Sequence, residues 1–201
     1  MSVIATDDFN RANETPMAGN WTQIEAHEWN LTSNVATPAF VSLDTASYWN
    51  ATTFPNDQYS QAKITVTGTG GGGAGLGLGV RMSGTVGNAT YYRLVIDHAS
   101  SNNIELSRIV GGAFTQLWLR TQAFTNGDTL RLEVSGSTLT AKLNGTAIGT
   151  TYTDASPIAS GRAGIAFSSS ETAATLDDWE GGDLAAVTPT GHNFMTLLGV
   201  T

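Results

Sequence analysis

Residues 67–81 read TGTGGGGAGLGLGVR, the densest run of glycine in the chain, and the fold turns on how they are read. Gly68-x-Gly70-x-x-Gly73 and Gly70-x-Gly72-x-x-Gly75 both match the dinucleotide-binding fingerprint in form. That fingerprint works only where a helix starts directly after the turn, so that backbone amides and the helix dipole face a pyrophosphate. Here the chain continues Leu76-Gly77-Leu78-Gly79-Val80-Arg81-Met82, which alternates and puts glycine where a helix needs better formers. No Gly-Lys-Ser/Thr follows, so there is no P-loop. The stretch reads as a turn running into a strand over 74–82. Leu76, Leu78, Val80 and Met82 face a core, and Gly75, Gly77, Gly79 and Arg81 form a nearly bare opposite face. Such a face suits the close approach of another backbone or a ligand.

The same period of two recurs on both sides of this stretch. QAKITVTG places Ala62, Ile64 and Val66 on one face, and TLRLEVSG does so with Leu130, Leu132 and Val134. TLTAKLNGT adds Leu139, Ala141 and Leu143, and Asn144-Gly145 is a strong hairpin signal, so 129–152 reads as a three-stranded meander. Further strands are predicted at 38–43, 89–97, 103–109, 113–120, 162–168 and 174–180. No dozen residues keep a helical apolar period. Many short strands with turns between them predict an all-β, two-sheet antiparallel sandwich over 1–182. Residues 183–201 form a separate C-terminal arm.

Of the 201 residues, 40% are hydrophobic, enough for a core, while the charged share of 13% is about half the usual one. Thr, Ser, Asn and Gly supply the remaining polarity, a surface suited to uncharged partners. Net charge is −8, and the nine Lys and Arg are scattered singly, which argues against nucleic acid. There is no cysteine, hence no disulfide or thiolate metal site. MSVIATDDFNR lacks the basic and apolar regions of a signal peptide, and no apolar run approaches a membrane span. The chain starts with Met and is read as a whole gene product.

If 74–82 and 89–97 pair, Arg81, Tyr91 and Arg93 share the outer face, and 113–120 adds Trp118 and Arg120. Rings that stack on C–H faces, beside guanidinium donors for hydroxyls, are what a sugar needs. The predicted ligand-binding set is therefore Arg81, Tyr91, Arg93 and Trp118, with a solvated face of ordinary cross-strand pairs as the alternative. His27, His98 and His192 form no zinc motif, and no Gly-x-Ser-x-Gly elbow occurs. Six Asn-x-Thr sequons fit an Asn- and Thr-rich composition.

The order of the pieces carries a resemblance. DDFNRAN and GNWT open the chain, and YSQAKITVTG leads to GLGVRM and YYRLVID. GDTLRLEVSGSTLTAKLNGTAI, GRAGIAF and LDDWEGGD follow. Over residues 5–182 this resembles the concanavalin A-like lectin/glucanase superfamily in its laminin-G-like branch. The resemblance implies a jelly roll of two curved sheets, a concave face that often binds glycans, and Asp8-Phe9 lying near Asp178-Trp179 at one edge. Some members bind calcium near their terminal strands, and Asp7, Asp8, Asp177 and Asp178 are oxygen donors of the right type. Adjacent aspartates on a strand face opposite ways, so at most one of each pair joins a given site. No cofactor is expected, with calcium left open.

The glucanase members carry Glu-x-Asp-x-x-Glu on one strand, which this chain lacks. Its nearest acidic clusters are Glu25/Glu28 and Asp178/Glu180, so a non-enzyme is expected. Two functions stand. One is a virion-surface protein, a bacteriophage capsid-decoration or tail-associated subunit, whose apolar arm (Phe194, Met195, Leu197, Leu198 and Val200) docks on other subunits. The other is a free carbohydrate-binding module or a glycoside hydrolase. Expected partners are assembly subunits, including copies of this chain, and glycans, with no nucleic acid or membrane. A tail folded back on its own domain is the alternative reading of the arm.

Overall fold

The computed structural model describes residues 1–40, 44–66, 75–97, 103–168 and 174–184, and the regular structure among them is all β. In chain order the strands are β1 (Ser2–Asp7), β2 (Trp21–Gln23), β3 (Trp29–Thr32), β4 (Val35–Pro38), β5 (Thr45–Trp49), β6 (Gln58–Val66), β7 (Gly75–Ser83) and β8 (Thr90–Asp97). Then come β9 (Asn103–Val110), β10 (Ala113–Thr121), β11 (Thr129–Ser135), β12 (Thr138–Leu143), β13 (Thr146–Ala147), β14 (Tyr152–Thr153), β15 (Arg162–Ser168) and β16 (Ala174–Asp183).

They form two antiparallel sheets. The nine-stranded sheet runs β13-β12-β11-β6-β16-β4-β3, with β1 beside β16 and β14 beside β12. The seven-stranded sheet runs β10-β9-β8-β7-β15-β5-β2. Side chains that alternate inward meet between them. Leu76, Leu78 and Val80 of β7 and Leu94 and Ile96 of β8 pack in one core with Ile64 of β6 and Leu130 and Leu132 of β11. Each such side chain contributes about 2 kcal/mol by leaving water.

From residue 58 onward the elements fall where alternation predicts them. Asn144 and Gly145 take φ of 49° and 79° between β12 and β13, the left-handed pair that a tight hairpin turn requires. The first fifty residues differ. The strand predicted at 38–43 is replaced by β4, which ends at Pro38, and 41–43 lie outside the described residues. The four other strands there are three to six residues long. β1 pairs with β16, Asp7 opposite Trp179 and Ser2 opposite Asp183, so the opening and closing strands do lie side by side.

The glycine stretch divides at its middle. Residues 67–74 lie outside the described residues, and 75–81 open β7. A Cβ on Gly77 would sit 1.8 Å from the Leu94 carbonyl oxygen, and one on Gly164 of β15 would sit 2.1 Å from the Ser47 carbonyl oxygen. At these two positions neighbouring backbone takes up the room that glycine leaves.

One polar centre ties a loop into the sandwich. Asp154, between β14 and β15 and 5% exposed, accepts hydrogen bonds from the Tyr92 hydroxyl (2.7 Å), Arg108 Nη1 (2.9 Å) and the Ser156 N–H (2.9 Å). The Ile158 N–H in turn donates to the Tyr92 oxygen (3.0 Å). Burial, together with the bond to Asp154, pushes the Tyr92 hydroxyl up to about 12.

Candidate functional site

The outer face of the seven-stranded sheet keeps two of the four predicted residues. β7 carries a bulge between Val80 and Ser83, with Arg81 at φ 50°. An extra residue in a strand exchanges the faces beyond it. Met82, expected in the main core, packs outside with Ile24, Tyr91 and Ile109. Arg81, expected outside, is buried: its N–H donates to Gln58 Oε1 on the other sheet (3.1 Å), and its guanidinium donates to the carbonyls of Asn56 and Ile158. It clamps the two sheets and does not share the predicted face. Trp118 leaves that face for the same reason. β10 is bulged between Gln116 and Trp118, which puts Trp118 opposite Leu106 and against the main core. Arg120 lies over the Trp118 ring at 5.4 Å and donates to Thr150.

Tyr91 and Arg93 do point outward, as foundations. The Tyr91 hydroxyl donates to Glu25 Oε1 at 2.9 Å beneath the segment that follows β2. Burial pushes the Glu25 carboxyl above its ordinary range; the Tyr91 bond opposes this and the Asp44 charge adds to it. Arg93, 2% exposed, donates from Nη1 to Asp44 Oδ2 (3.0 Å) and from Nε to Ser107 Oγ (3.3 Å). Its Nη2 lies 3.6 Å from Glu105 Oε1, and its guanidinium lies 5.5 Å from the centre of the Phe114 ring. Gln116 Nε2 donates to Glu105 Oε2 (3.3 Å), while Glu105 Oε1 is buried with no hydrogen-bond donor.

The layer above Arg93 consists of Asp44, Glu105, Gln116 and the ring of Phe114, which is 53% exposed. Alternation flagged Arg93 but missed these partners. Asp44, just before β5, and Phe114, on β10, join it only once the sheet order is known. His27 stacks on Phe40 at 5.2 Å, and His98 and His192 lie outside the described residues.

Of the four aspartates considered for calcium, two are tied into protein bonds. Asp7 accepts from the Phe9 N–H, from Arg11 and from Trp21 Nε1 (2.8 Å), and Asp178 pairs with Lys63. Among the described residues no three His, Asp or Glu side chains are grouped to hold a metal ion.

No family model and no curated protein matches the sequence. Solved structures match the fold. The carbohydrate-binding module CBM66 from Bacillus subtilis superposes with a TM-score of 0.59 at 18% identity, covering 82% of this chain and 92% of that one. The exoplasmic/lumenal domain of VIP36, in its Ca2+/Man3GlcNAc-bound form, gives 0.59 at 16% identity, covering 83% and 84%. The potassium-bound carbohydrate recognition domain of Emp46p gives 0.55 at 10%, covering 83% and 90%. The chain therefore has a two-sheet antiparallel jelly-roll sandwich, a fold shared with these structures.

Proposed function

We propose that this protein is a non-catalytic carbohydrate-binding domain that holds a neutral glycan on the sheet face above Arg93. One arrangement carries the reading: a buried cation fixes Asp44, Glu105 and Phe114 around it, so acceptors and an exposed ring are held rigidly together. Hydroxyls donate to such carboxylates while a sugar's C–H face covers the ring. The Asp178/Glu180 pair weighed for hydrolysis supports binding over catalysis. Glu180 accepts from the Tyr59 hydroxyl and Asp178 pairs with Lys63, which commits both to structural bonds. Screening on a glycan array followed by calorimetry is expected to give binding that Phe114→Ala weakens about tenfold. No glycan bound at millimolar concentration, or full affinity in Phe114→Ala, overturns the reading.

A second reading keeps the fold and makes the chain a virion-surface subunit anchored by its arm. It is supported by β10, an edge strand whose side chains are exposed or half-exposed, next to half-exposed Val110. Phe194, Met195, Leu197, Leu198 and Val200 lie outside the described residues. Truncation after Leu184 is expected to abolish assembly, read by light scattering, and to leave the melting temperature of the sandwich unchanged. Normal assembly of the truncated chain removes this reading.

A further inference from the structure

The geometry points to a second saccharide pocket at the opposite end of β5, a cleft between the turn after β1 and Trp49 that takes the terminal ring of a neutral sugar. The ligand class rests on the carbohydrate reading above; the cavity stands without it. Its volume is about 420 Å³, within the range of small-molecule sites. Asp44 directly precedes β5 and Trp49 ends it, about 17 Å apart at 3.3 Å per residue.

The walls are built and fixed. Trp49, 9% exposed, lines the cleft and is held by stacking on Trp179 (5.5 Å) and by an edge contact with Trp21 (5.4 Å). Arg11 is anchored by Nη1 to Asp7 Oδ1 (2.6 Å) and by Nε to Glu14 Oε1 (2.9 Å), which leaves Nη2 uncommitted among the described residues. Asp8 is exposed and accepts from the Asn10 N–H (3.0 Å), and Asn20 and Thr6 line the cleft beside it. The cleft thus offers a donor, an acceptor, an amide that does both and a strip of indole. Hydroxyls match that set because each donates and accepts. An anionic ligand would face Asp8, and an ammonium would face Arg11.

The test uses the full chain, labelled with nitrogen-15, titrated with methyl glycosides of glucose, galactose, mannose and fructose to tens of millimolar. At least one is expected to shift the Trp49 indole N–H saturably. Asn20→Ala should weaken that response about fivefold by removing one or two hydrogen bonds. Ala18→Trp, which fills the cleft from an exposed position, should abolish it, while Phe114→Ala should leave it intact. A Trp49 shift unaffected by Asn20→Ala and Ala18→Trp but lost in Phe114→Ala overturns the pocket and leaves the Arg93 face standing. A response to calcium chloride alone, or no Trp49 response to any glycoside, also overturns it.

Discussion

Asp154→Ala is expected to lower the unfolding free energy by about 3 kcal/mol in urea denaturation. Removing one partner of a buried ion pair costs about 3–5 kcal/mol, and Arg108 keeps 24% of its side chain in water, which places this pair at the lower end. The loss is larger than one contact because three donors lose this acceptor together: Tyr92 from β8, Arg108 from β9 and the Ser156 N–H. Asp154→Asn, which keeps the shape and one acceptor oxygen, should fall in between. A loss below about 1 kcal/mol for the alanine variant would mean that water replaces the carboxylate at little cost, against this account.

The same residue shapes the acid limit. Burial alone would raise the Asp154 carboxyl, but the bonds from Ser156, Tyr92 and Arg108 outweigh it and hold the group below its ordinary range. A depressed folded pKa gives stability that is present above the unfolded value, about 3.9, and is lost as pH falls through the folded one. Glu14, Asp57 and Asp128 act with the same sign. Glu25 and Asp177, both raised, act oppositely: their contribution is full below the unfolded pKa and fades as pH rises through the folded one. Stability should therefore fall below about pH 4, and less steeply in Asp154→Ala than in the parent.

Gly77→Ala is expected to cost about 3 kcal/mol, a drop of roughly 6–12 °C in melting temperature for a domain this size. Its Cβ would press on the Leu94 carbonyl, which is rigid ladder backbone and cannot swing aside. Gly87→Ala separates this cause from glycine's conformational freedom. Gly87 has φ 81° with nothing within 4 Å of an added Cβ, so its substitution strains the backbone alone, at about 1 kcal/mol. Equal losses in the two variants would show that packing against Leu94 is not what reserves the position.

Much of the sandwich is legible in the sequence because half-buried strands alternate and turn residues punctuate them. β7, β8, β11, β12 and β15 announce themselves this way. The elements before residue 50 do not. Strands of three to five residues give the period of two too few cycles to be seen, and Trp21 and Trp49 are placed by their contact with Trp179, some 130 to 160 positions away. Arg81 and Trp118 were misplaced by a single physical cause. Arg81 lies within the bulge of its strand and Trp118 just past one extra residue in its own, and alternation carries no mark of a bulge until the partner strand is known. Arg93 was legible because β8 and β9 pair without interruption.

The pairing of Ser2 with Asp183 governs how the sandwich bears a pull. Tension applied through its two ends would load the β1–β16 ladder one rung at a time, from Ser2 towards Asp7, because the hydrogen bonds of an antiparallel pair lie across the strands. Such a seam unzips under force far more readily than strands drawn lengthwise past each other. Used as a tether, this domain would peel at its first strand while the layers around Leu78 and Leu132 stayed closed.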